Sequence, residues 1–479
     1  MLLFIAVLRA LALKAKPLPS EPQFVPDDSS RILAEHMSAM LQNKTISLGP
    51  GATEEEKNEF VKFRGLLKKL YPRCFSAMED IDLGCGAILL RLRGKGEKSG
   101  AVVLMSHHDV VPAPGEWKHP PFSGTIADGA IWGRGAVDTK GSLCAIFEAV
   151  ESLLAEGFAP NTDIFISSSN AEEIGGEGAK CAAEYLEKKG IPVALVTDEG
   201  GRLYDNPMPG AKGRFAMVSV TEKGHGTLKF TAKSAGGHAS ASPLGKKNPL
   251  VRLAGFIMEA ENHPPFRKKI SPELKATFKA IAPYMSFPFR LLFVNLWLFK
   301  PLILAALPKV SPQAGSMLRT TCVFTGASGG DADNSAPETA SLTANLRFIH
   351  HQPREESIKA ICALARKYDL GVEVEKSGEC CPVTDVKGPG FRFIAECIKD
   401  QFPEAAIAPM TLVAGTDARN FNPICHNVIR FVPLVMSKQQ LASVHGIDEN
   451  ITLSSLVRAV DFYRSMLLKL QNKNLEEWI

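Results

Sequence analysis

Ala101-Val102-Val103-Leu104-Met105-Ser106 runs straight into His107-His108-Asp109. An apolar, β-branched run of this length reads as a strand buried on both faces. Here it delivers metal-capable side chains at its carboxyl end. Working outward, residues 87–92, 163–167 and 193–197 are further short apolar strands. Between them, residues 141–156 carry Leu143, Ile146, Phe147, Val150 and Leu153 at helical spacing, and 177–189 form a second helix. Short apolar strands alternating with helices predict an α/β fold, a mostly parallel sheet flanked by helices. Upstream, Asp27-Asp28-Ser29-Ser30 reads as the cap and start of an entry helix.

The pattern changes near residue 213. Strands at 215–220 and 226–232 lie close together, helical stretches follow, and strands return at 317–326 and 339–349. That is the order of a small α+β insertion. The organisation predicted is an apolar segment over 1–25, a first part of the main domain over 26–212, an inserted domain over 213–349, and the rest of the main domain over 350–479.

With 55 basic and 51 acidic residues the net charge is +4, so nothing in the overall balance calls for nucleic acid or an anionic membrane as partner. The ten cysteines form no C-x-x-C pairs. A chain this long needs no disulfide framework, so they read as free thiols of a reducing compartment, which favours the cytoplasm. Residues 1–13 are apolar except Arg9, with Lys14 and Lys16 behind. The run is shorter than the roughly 20 residues of a spanning helix, and its charge follows rather than precedes it. It reads as an amphipathic helix, a weak membrane anchor, or a segment packed on the domain. A second apolar stretch, 287–307, is broken by Arg290, Asn295, Lys300 and prolines. It suits a hydrophobic face for substrate, partner subunit or membrane surface.

Four clusters of metal-capable residues stand out. In Ser106-His107-His108-Asp109 the period of an extended chain puts His107 and Asp109 on one side and His108 on the other. His107 is then the ligand, and Asp109 fixes its tautomer and orientation. In the turn Trp132-Gly133-Arg134-Gly135-Ala136-Val137-Asp138, the glycines allow close backbone approach, and Asp138 can hold two metals, one per oxygen. In Asn170-Ala171-Glu172-Glu173, Glu172 is assigned as general base and Glu173 as ligand. In Thr197-Asp198-Glu199-Gly200-Gly201, either Asp198 or Glu199 completes the second metal. Late in the chain, Val444-His445-Gly446-Ile447-Asp448-Glu449 supplies the one histidine of the C-terminal third with such a glycine and acidic run. Histidine and carboxylate donors without thiolates indicate a hydrolytic metal site, zinc or cobalt/manganese, rather than a structural one. No H-E-x-x-H, G-x-S-x-G, P-loop or dinucleotide fingerprint occurs.

Taken in order, S-H-H-D-V-V-P, G-R-G-A-V-D-T-K-G, N-A-E-E-I-G-G, T-D-E-G-G, G-G-H-A-S, G-T-D-A-R and V-H-G-I-D-E resemble the carboxypeptidase S and aminoacylase family of di-zinc peptidases. The likeness is to the branch holding Gly-X carboxypeptidase and the N-fatty-acyl-amino-acid synthase/hydrolase, and it covers residues 25 to 470. The resemblance implies a zinc-peptidase (phosphorylase/hydrolase-like) fold with a ferredoxin-like lid and dimerisation domain. It implies two Zn2+ per subunit, with His107 on one, His445 on the other, Asp138 bridging, and Asp198, or else Glu199, as a further ligand. It further implies a cis peptide at Asp138-Thr139, His238 as oxyanion stabiliser reaching an active site of a homodimer, Arg419 as clamp for the substrate carboxylate, and Asn334 as a polar substrate contact. The implied activity is hydrolysis of an amide bond beside a free carboxylate, on a small peptide. The rivals are synthesis and hydrolysis of N-acyl amino acids, and a non-enzymatic interaction protein on the same fold.

Overall fold

The strand Ala101–His107 is buried along its whole length and lies within an eight-stranded sheet. The computed structural model describes residues 1–479 except 16, 50, 97–99 and 242–247, and of Gln313 the backbone alone. Lys16, one of the two lysines following the N-terminal apolar run, is outside the described residues. Across the sheet the strands are Glu79–Ile81, Ile88–Leu92, Ile164–Ser169, Ala101–His107, Val193–Asp205, Val428–Met436, Arg214–Glu222 and Ala405–Leu412. The middle four run parallel, as does the pair at the far edge. Strands Glu79–Ile81 and Ile88–Leu92 join antiparallel. Helices cover the sheet. Lys140–Ala155 is buried along most of its first three turns and packs against Leu453–Leu470, which contributes Leu456, Phe462 and Met466 to the same core. Asp27 caps the helix Asp28–Leu41 through a reciprocal bond with Ser30.

A second, four-stranded antiparallel sheet has the order Thr321–Gly329, Thr339–Phe348, Gly224–Lys233, Gly371–Gly378. Burial alternates residue by residue along Thr339–Phe348 and Gly224–Lys233, the signature of a sheet with one covered face. Helices Pro249–Asn262 and Arg354–Arg366 cover it through Leu253, Phe256, Ile361 and Leu364. Two strands fall on the other side of the divisions read from sequence. Arg214–Glu222 pairs in the large sheet, parallel to Ala405–Leu412. Gly371–Gly378 pairs in the small one, against Gly224–Lys233. The sequence misses both because Lys223 alone separates Arg214–Glu222 from Gly224–Lys233, although the two belong to different sheets, and because Gly371–Gly378 pairs with a strand far back along the chain.

Candidate metal centre

His107 is the last residue of its strand, at the carboxyl edge of the sheet, where side chains of neighbouring strands and loops converge. Its Nε2 lies 3.2 Å from Asp138 Oδ1 and 3.5 Å from Glu199 Oε1. The other Asp138 oxygen, Oδ2, lies 3.0 Å from His445 Nε2, which is also 3.0 Å from Glu173 Oε2. Two triads therefore share Asp138. Within His107, Asp138 and Glu199, and within Asp138, Glu173 and His445, one donor atom per residue lies within 4.8 Å of the others.

Of the paired acids in Thr197-Asp198-Glu199, Glu199 faces His107, and not the Asp198 that the resemblance favours. Asp198 turns the other way, and its Oδ2 accepts the Ala418 amide at 2.8 Å. The strand also continues past both residues to Asp205, so they sit within it rather than after it. Behind His107, Asp109 is fully buried. Its Oδ1 lies 3.4 Å from His107 Nδ1 and accepts the Glu172 amide at 3.1 Å, while Oδ2 accepts the Glu173 amide at 3.2 Å and the Ser47 hydroxyl at 2.6 Å. His107 Nδ1 also lies 3.0 Å from the Asp109 carbonyl, so Asp109 fixes the imidazole through backbone and side chain while its carboxylate holds the short turn bearing the paired glutamates. His108 points away, stacked on Phe63 and 2.8 Å from the Ser168 hydroxyl. Burial pushes it down to about 3, so it stays neutral.

The Asp138 turn is held by a residue the sequence reading passed over. Buried Glu449 accepts the amides of Gly135, Val137 and Asp138 at 3.0, 2.8 and 3.0 Å, and pairs with Arg134 at 2.7 Å. An arginine in a glycine-rich turn beside an acidic cluster was the available signal, because a buried guanidinium needs a carboxylate partner. The Asp138-Thr139 peptide is cis. His445 adopts φ 59°, a left-handed conformation uncommon outside glycine.

Positive charge is what the cluster lacks. Burial and the nearby Glu199 push Glu172 up to about 10. Burial and Asp138 push Glu199 up to about 8, and burial with Asp198 pushes Asp417 up to about 7. Asp138 and Glu173 lift His445 to about 10. For His107 burial is the largest effect and acts downward, but Asp109, Asp138 and Glu199 outweigh it and hold the ring well above its ordinary range. Glu173 Oε1 is buried with no partner among the described residues, and an orphaned buried carboxylate oxygen is costly without a cation. The donor set, imidazole and carboxylate oxygens sharing one aspartate, fits two divalent metals.

The other sequence-predicted residues lie apart from the triads. His238 is exposed, 2.7 Å from the Ser240 hydroxyl, in a two-residue strand opposite Ser335. The Asn334 carbonyl accepts the adjacent Ala239 amide at 2.8 Å, so His238 and Asn334 lie together at one small two-stranded sheet. Arg419 Nη1 lies 2.8 Å from His225 Nδ1, beside a cavity of about 320 Å³ also lined by Glu379, Cys380 and Cys381. Arg347 is close enough to be pushed down by Arg419, though burial does more. The single-turn helix Asp417–Phe421 thus sets Asp417 near the acidic cluster and Arg419 at this cationic pocket.

A mostly parallel sheet with helices on its faces, a small antiparallel sheet beside it, and an aspartate shared between two histidine–carboxylate triads define a metallopeptidase. The chain belongs to the peptidase family M20/M25/M40, whose profile matches residues 103–469. It is 32% identical over 459 residues to probable carboxypeptidase S-like 2 of Dictyostelium discoideum, covering 93% of this chain and 86% of that one. It is 31% identical over 439 residues to the N-fatty-acyl-amino acid synthase/hydrolase PM20D1 of Mus musculus, covering 90% and 86%. Among solved structures it resembles an M20 family metallo-carboxypeptidase of Sulfolobus solfataricus, with TM-score 0.67 at 18% identity over 94% of this chain and 100% of that one. Human carnosine dipeptidase 1 gives TM-score 0.66 at 14% identity over 99% of each chain.

Proposed function

We propose that this protein is a two-zinc hydrolase of amide bonds lying next to a free carboxylate, in the manner of a carboxypeptidase. The observation that carries the reading is Asp138, whose two oxygens each face a different histidine, 3.2 and 3.0 Å away. His107, Asp138 and Glu199 would hold one zinc, and Asp138, Glu173 and His445 the other. Bound there, the pair would supply Lewis acidity and make a water molecule acidic near neutral pH. Two dications would also reverse the field that now keeps Glu172 protonated, freeing it to act as a base. Glu172 takes the proton of the attacking water and hands it to the leaving nitrogen. Arg419, with His225 and Arg347 behind it, binds the substrate carboxylate, since a guanidinium fork matches a carboxylate. His238 meets the developing oxyanion, and Asn334 contacts the substrate, on closure or from a second copy in a homodimer.

A second reading keeps the same site and changes the acyl group: synthesis or hydrolysis of N-acyl amino acids. The PM20D1 relatives favour it, together with the apolar helices Phe287–Val294 and Leu296–Val310. Assay of the zinc-loaded chain on glycyl-leucine and on oleoyl-phenylalanine separates the two. Chelator-sensitive cleavage of the dipeptide supports the first reading, and cleavage of the acyl amino acid alone supports the second. A protein that binds two equivalents of zinc yet cleaves neither, nor any member of a wider acyl-amino-acid panel, would be no hydrolase of this kind.

A further inference from the structure

The N-terminal helix Leu2–Ala12 is packed the wrong way round for a segment that merely completes a core. The residues it buries are Ala6 and Ala10, four apart. Its large side chains point away: Phe4 is 67% exposed, Leu8 50% and Leu11 56%. These, with Ile5, recur at i, i+1, i+4 and i+7, one stripe opposite the alanines. The helix sits on Phe287–Val294. Buried Asn295 secures it by donating to the Ala6 carbonyl at 2.9 Å, at the bend where Phe287–Val294 turns by 111° into Leu296–Val310. That second helix also shows apolar bulk outward, with Trp297 49% and Leu302 52% exposed. No described helix is by itself long and apolar enough to cross a bilayer.

Charge is segregated over the same elements. Residues 1–20 and 274–330 contain none of the chain's 51 acidic residues, yet they carry Arg9, Lys14, Lys300 and Lys309, all exposed. The overall charge of +4 conceals this. Apolar side chains flanked by lysine and arginine suit the boundary between acyl chains and anionic headgroups, and the carboxylates that share a cavity with Lys14, Phe287 and Arg290, namely Glu21, Asp205 and Glu404, are each paired with Arg214. A second copy of the chain would bring the same positive charges against one another.

We infer that the Leu2–Ala12 helix and the bent pair Phe287–Val294 and Leu296–Val310 form a docking surface for a membrane bearing anionic lipid, on which the protein lies without spanning. The inference is independent of the metal chemistry. Flotation of the full chain with vesicles of phosphatidylcholine alone and of phosphatidylcholine with phosphatidylserine tests it. The chain should float with the anionic vesicles and be released by high salt. Phe4→Glu with Leu8→Glu, and separately Trp297→Glu, should each lower vesicle affinity about tenfold or more, with zinc binding unchanged. As a check needing no folding assumption, brominated lipid should quench the intrinsic fluorescence of the unaltered chain, and the quenching should fall in Trp297→Phe. Absence of the unaltered chain from both vesicle fractions would overturn the inference. So would self-association that the glutamate variants abolish in a chain that binds no vesicle, since the surface would then be an interface between copies.

Discussion

Glu449 and Asp138 are 311 residues apart in sequence, and the Glu449 carboxylate accepts the Asp138 amide at 3.0 Å. The same side chain takes the Val137 and Gly135 amides and the Arg134 guanidinium. The turn that presents Asp138 to both histidines therefore has its backbone donors satisfied by one buried anion. Glu449→Ala should leave Arg134 buried without its partner and destabilise the fold by about 3 kcal/mol or more, read by denaturant unfolding. Arg134→Met combined with Glu449→Ala should recover part of that loss.

Asp109 performs the matching task on the other side. It holds His107 Nδ1 and the amides of both Glu172 and Glu173. Asp109→Asn should keep the fold and lower zinc affinity by about 10- to 100-fold, measured by competition with a chromophoric chelator.

The neighbouring acids Asp198 and Glu199 should separate cleanly. Glu199 faces His107, whereas Asp198 accepts the Ala418 amide. Glu199→Gln should cost one equivalent of zinc. Asp198→Asn should retain two equivalents and lose stability instead, as the Ala418 contact weakens.

Lys223 gives a pH test remote from the triads. Its buried ammonium donates to the Ser316 and Arg319 carbonyls at 2.9 and 3.0 Å, and burial pushes it down to about 7. An unfolded lysine keeps its proton to about 10.4. Between those values the unfolded chain binds the extra proton, so this group makes stability rise with pH, by at most about 1.4 kcal/mol per unit. Lys223→Met should flatten that rise relative to the unaltered chain in unfolding measured from pH 7 to 10.

The placement of His107, His108 and Asp109 was legible because it depends on local periodicity. His107 and Asp109 share a side by the two-residue repeat of a strand, and His108 points away for the same reason. The choice between Asp198 and Glu199 was not legible. The strand Val193–Asp205 pairs irregularly with Val428–Met436 at these residues, where Arg430 pairs with Asp198 and Phe431 with Gly201 so that Glu199 is skipped, and such a shift resets which residues face the site. Glu449 escaped because its role is to satisfy backbone amides more than three hundred residues away. Nothing in its own neighbourhood encodes that. Arg214–Glu222 joins the large sheet antiparallel to the strand before it, Val193–Asp205, and parallel to the distant Ala405–Leu412, and the second pairing is found only once the chain has folded.

In the proposed site Asp138 would be shared between two metals. Anomalous diffraction at the zinc edge from crystals of the zinc-loaded chain tests it most directly. Two peaks are predicted, one bonded to Asp138 Oδ1 with His107 and Glu199, the other to Oδ2 with Glu173 and His445. A single peak, or zinc bound away from Asp138, would contradict the account.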